Sequence, residues 1–102
     1  MSTKRDALTV LERLAGGPLS FGRMIESLRF CDEINQTDLA RRVGVSKAHL
    51  CDIEKGRRLV SPERAAKFAR VMGYGVETFV AMALEDQLKK ARLHLKVSLK
   101  AA

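Results

Sequence analysis

The sequence has no tryptophan, a single tyrosine, two prolines and two cysteines. Cys31 and Cys51 stand in no C-x-x-C pair, so they set no disulfide framework. His49 lies beside Cys51 but His94 is remote, a spacing that gives a zinc site little support; no metal and no cofactor are expected. No apolar run approaches the roughly eighteen residues that a membrane span needs. The opening MSTKRDAL carries basic residues without the apolar stretch of a secretory signal, so the cytoplasm is the expected compartment and no membrane the expected partner. No paired acids sit at catalytic spacing, no Ser-His-Asp arrangement is visible, and no glycine-rich loop could cradle a phosphate. Those absences argue against an enzyme.

What is present is an ordinary globular balance of 46% hydrophobic and 30% charged residues over 102 positions. That length supports one domain with one small core. The net charge is +7. Its placement is uneven: residues 41–70 hold nine lysines and arginines against Asp52, Glu54 and Glu63, and residues 89–102 hold five more with no acid. A charge run is most often a solvated face. A basic surface of this kind also attracts phosphate backbones and releases their counterions.

The basic region overlaps the most structured stretch of the sequence, Asn35 to Arg58. Leu39, Ala40 and Val43 fall at helical spacing, and so do Leu50 and Ile53. Gly44 between them can take positive φ at the end of the first helix. Val45 can plug the angle between the helices, and Ser46 is a good N-cap for the second. Two helices joined steeply through such a turn form a helix-turn-helix unit.

Gln36, Leu39-Ala40, Gly44-Val45-Ser46, Leu50, Ile53-Glu54 and Gly56 resemble the pattern of Xre/Cro-type helix-turn-helix proteins, phage repressors among them. The resemblance runs through about residues 21–84. It implies an all-α, five-helix, lambda-repressor-like domain that binds double-stranded DNA. By the same resemblance the second helix, 46–56, enters the major groove. Lys47, Ala48 and Asp52 would face bases, with Cys51 or His49 as further candidates. Lys47 can donate to guanine O6 and N7, and Ala48 can offer a methyl contact to thymine. Asp52 departs from the usual neutral polar residue; it could accept from cytosine N4, yet it repels phosphates. Asn35, Gln36, Lys55, Arg57 and Arg58 are the phosphate candidates, whereas Arg41 and Arg42 are equally well read as solvated charges. Arg29 and Glu54 stand where similar proteins carry a structural ion pair.

Three segments follow from a pass along the chain. Residues 1–20 form an N-terminal extension, with Asp6 able to cap a helix to about Ala15 before Gly16-Gly17-Pro18 stops it. Residues 21–92 are the domain: a helix from Phe21 to Cys31 capped by Ser20, the two motif helices, a helix opened by Ser61-Pro62-Glu63, and a last helix from Val76 to about Leu93. Asn35 caps the first motif helix, and Asp38 can answer it in a capping box. In residues 93–102, Leu93, Leu95, Val97 and Leu99 alternate with polar residues, the period of a strand with one apolar face. An isolated strand needs a partner, and a second copy would supply one as a dimerisation ribbon. The alternatives are a continued helix or a tail disordered in isolation.

The leading functional expectation is a repressor that binds a palindromic operator as a homodimer. The alternative is an antitoxin whose N-terminal helix or terminal strand grips a toxin protein while the complex represses its own operon.

Overall fold

The computed structural model describes residues 20–102. The expected helix at 6–15, and with it nearly all of the 1–20 extension, lies outside those residues. Five helices follow in order: α1 (Phe21–Cys31), α2 (Gln36–Val43), α3 (Lys47–Glu54), α4 (Pro62–Met72) and α5 (Val76–Lys90). No strand occurs among the described residues, and none of their helices is long and apolar enough to cross a membrane.

Local chemistry sets the helix boundaries. The side chains of Ser20, Asn35, Ser46 and Ser61 each accept a bond from the backbone N–H three residues on, satisfying an otherwise orphaned donor. At the other ends, the chain turns through left-handed residues: Glu33, Gly44, Gly56, Gly73 and Arg92. The capping box at Asn35 is only half formed. The Asp38 N–H donates to Asn35 Oδ1 at 2.8 Å, but the Asp38 carboxylate turns to Arg41 at 3.3 Å. The final helix stops at Lys90, short of the expected Leu93, because Arg92 takes φ 62° and the N–H of Leu93 bonds to the Leu88 carbonyl at 2.8 Å.

The core is the shared interior of all five helices. Phe21, Phe68 and Phe79 meet edge to face at its centre, with Phe21 5.6 Å from Phe68 and 5.9 Å from Phe79 between ring centroids. Met24, Ile25, Leu28, Leu39, Leu50 and Ile53 are buried around them. Burial of this set supplies the main driving force for the fold. The seat of α1 on α3 depends on Gly22: a Cβ there would fall on the Ile53 carbonyl oxygen. Across the domain, Asp86 of α5 accepts from the Phe21 N–H at 2.8 Å, and Gln87 donates to the Val60 carbonyl at 3.1 Å. Burial raises the Asp86 pKa above its ordinary value, opposed by the Phe21 N–H and Lys89.

Candidate nucleic-acid interface

The turn between α2 and α3 is built by three residues with separate tasks. Gly44, at φ 78°, ends α2, and the Val45 N–H bonds back to the Ala40 carbonyl at 2.9 Å. Val45 packs half-buried against the core. Ser46 then opens α3 by accepting from the His49 N–H at 3.0 Å. Leu50 and Ile53 turn inward, which leaves the opposite side of α3 to solvent.

On that outer side Lys47 and Ala48 are exposed. His49, Cys51 and Asp52 are half-exposed. His49 lies against the Arg64 guanidinium of α4, with ring-nitrogen separations of 3.3 and 3.4 Å. Desolvation, then Arg58 and Arg64, lower its pKa against the opposing pull of Asp52, which favours the uncharged ring. Cys31 and Cys51 are both free thiols.

The inner end of α3 is held by a buried polar network. Glu54 accepts from Arg29 Nε at 2.8 Å, Arg29 Nη2 at 3.0 Å and Gln36 Nε2 at 2.9 Å. Arg29 Nη1 donates to the Ile34 carbonyl at 3.1 Å. One carboxylate thereby fixes α3 against α1, α2 and the loop between them. The pair is nearly solvent-free, with side chains 8% and 1% exposed. No buried side-chain nitrogen or oxygen among the described residues lacks a partner. Gln36, a phosphate candidate, is thus braced from behind by Glu54. This was not legible in Gln36 alone, because its partner lies on another helix.

The phosphate candidates separate into two groups. Asn35, Lys55 and Arg58 are exposed around the ends of α2 and α3. Arg57 is exposed too, but its guanidinium is bound to Asp52, with Nη2 2.8 Å and Nε 2.9 Å from Oδ1. That contact raises the Arg57 pKa, the hydrogen bond to Asp52 being the main cause. The structure therefore joins a base candidate to a phosphate candidate.

The helix-turn-helix family profile matches residues 33–79. Those residues are a helix-turn-helix domain of the Xre and lambda-repressor type. That family binds DNA and regulates transcription, and the match supports this role for residues 33–79. No curated protein and no solved structure gives a significant match to the chain. The helix-turn-helix match begins after Arg29, yet the Arg29–Glu54 pair makes α1 part of the platform that carries α3.

The four tail residues expected to dimerise lie beyond the helix-turn-helix match. Leu93, Leu95 and Leu99 are 48%, 58% and 37% exposed. Val97 differs: it is half-buried, and its N–H donates to Glu85 Oε2 of α5 at 2.9 Å. The single chain provides no ladder for this segment, so the expected strand is absent from it.

Proposed function

We propose that the protein is a repressor that binds a palindromic operator as a homodimer through the recognition helix, residues 46–56. The observation that carries this reading is the outer face of α3. Lys47 and Ala48 stand free at the leading end of a helix whose rear is immobilised by the Arg29–Glu54–Gln36 network. A side chain that must select among base edges benefits from a support that does not move. Lys47 donates to guanine, and Ala48 contacts a thymine methyl. Asn35, the braced Gln36 amide, Lys55 and Arg58 hold phosphates and set the register.

One such domain spans few base pairs, so useful affinity comes from two copies on half-sites about one helical turn apart. The tail supports the second copy: three exposed leucines lie within seven residues, on a segment whose backbone bonds are mostly unmade. Sedimentation of the full chain and of a chain lacking residues 93–102 tests this part. A dimer that becomes a monomer supports it. An unchanged dimer excludes the tail. A monomeric full chain that copurifies with a second protein favours the antitoxin reading.

The base-reading part is tested by selecting duplexes from a random pool and titrating them. Lys47→Ala is expected to change the preferred base at one position per half-site. Arg58→Ala is expected to weaken all sequences alike and to lower the salt slope by about one. Equal loss on every sequence for Lys47→Ala would contradict its role.

A further inference from the structure

Arg57 and Asp52 are joined by chain geometry as well as by charge. Gly56, at φ 77°, reverses the chain after α3, and the Arg57 N–H bonds to the Asp52 carbonyl at 2.9 Å. The turn brings the Arg57 side chain back across the exposed side of the helix, where Nε and Nη2 both meet Asp52 Oδ1. Nη2 also approaches Cys51 Sγ at 4.0 Å. Among the described residues, Asp52 Oδ2 and Arg57 Nη1 take part in no hydrogen bond. The side chains remain 36% and 58% exposed, so both unused atoms are within reach of a ligand.

Asp52 follows Ala48 by one helical turn, so the pair lies on the face that the proposed function turns toward the groove. A lone carboxylate there would be repelled by the phosphates. Paired with Arg57 it is neutralised, and it presents an acceptor beside a planar row of donors. The major-groove edge of a G·C pair offers the complement: the guanine N7 and O6 acceptors beside the cytosine N4 donor. An A·T pair interleaves acceptor, donor and acceptor and does not match. Phosphate binding by Arg57 would need no carboxylate at its side and would leave that carboxylate facing the backbone charge.

We propose that Asp52 and Arg57 act as one composite reading head for a single G·C base pair in each half-site, Arg57 donating to guanine and Asp52 accepting from cytosine N4. The proposal rests on the DNA-binding reading above. It makes Arg57 a specificity residue in place of the phosphate contact expected of it, and gives the unusual acid of the recognition helix a task.

The test uses the full chain and duplexes that the wild type selects from a random pool. Each base pair is replaced in turn, and binding is followed by fluorescence anisotropy over a range of salt. Wild type is expected to lose about tenfold or more in affinity when one particular G·C pair becomes A·T. Asp52→Ala and Arg57→Ala should each abolish that preference at the same position and keep the preferences set by Lys47. The double variant should lose no more discrimination than either single one. Arg57→Lys keeps the charge but not the fork, so it should keep the salt slope and lose the preference. Helical circular dichroism confirms that each variant is folded. If Arg57→Ala weakens every duplex equally and flattens the salt slope with the G·C preference intact, the proposal is overturned while DNA binding stands. If the wild type selects no duplex at all, both readings fall.

Discussion

Asp52 and Glu54 stand two residues apart on α3, and each faces an arginine at 2.8 Å. Their surroundings differ. Glu54 and Arg29 are almost wholly removed from water and share the site with Gln36. Asp52 and Arg57 lie at the surface with unused hydrogen-bonding atoms. The same chemistry thus has two consequences. In the interior, removing one member strands a charge that water cannot reach. At the surface, water and salt replace the missing partner at little cost, and the pair is available to a ligand. Burial, rather than distance, separates the pair that holds α3 from the pair that can act through it.

The comparison can be broken most strongly at its buried side. Arg29→Ala should destabilise the fold by about 3–5 kcal/mol, as urea unfolding would show. A loss near zero would mean that Glu54 finds solvent. Next is the seat beneath that pair. Gly22→Ala puts a methyl group against the Ile53 carbonyl and should cost about 3 kcal/mol, with a matching fall in melting temperature. A smaller gain is expected from Glu33→Gly, since Glu33 holds φ 56°. The left-handed penalty of about 1–2 kcal/mol, less the extra chain entropy of glycine, leaves roughly 0.5 kcal/mol of stabilisation. Asp52→Ala should have the smallest effect, leaving the melting temperature essentially unchanged at any salt concentration. A large loss there would remove the contrast between the pairs.

Tyr74 sharpens the same contrast by pH. Its hydroxyl donates to the Asp32 carboxylate at 3.2 Å, and desolvation followed by the Asp32 charge raises its pKa from 10.0 to about 12. The folded state therefore favours the neutral phenol. That stabilisation is fully present below pH 10, and is lost as the pH rises through about 12. The chain has one tyrosine, so alkaline absorbance titration reads this group alone. A midpoint near the ordinary value would show that Tyr74 is neither desolvated nor held against Asp32 in solution.

Much of this was legible in the residues. Helix starts at Ser20, Asn35, Ser46 and Ser61 depend on atoms three positions apart, and local spacing reveals them. The Gly44 turn and the buried faces of α2 and α3 follow from periodicity for the same reason. Arg29 and Glu54 came from the family pattern, since nothing local joins residues so far apart. Gly22 carries no local signal, because only the Ile53 carbonyl of another helix explains it. The Gln36–Glu54 bond was hidden likewise. The residues alone give Arg57 and Asp52 separate partners, because a basic residue after the recognition helix is ambiguous until the Gly56 turn shows where its side chain goes. In the tail, alternation predicts a strand, and none forms there, because pairing is a property of two strands and one chain holds only one.

The most direct measurement is methylation interference on a duplex selected by the full chain. Methyl groups at guanine N7 line the major groove, and those at adenine N3 line the minor groove. Docking of α3 predicts that N7 methylation within each half-site blocks binding, with one of those guanines ceasing to matter in the Lys47→Ala variant. Binding that tolerates N7 methylation throughout, or that is blocked only by adenine N3 methylation, would contradict the placement of α3 in the major groove.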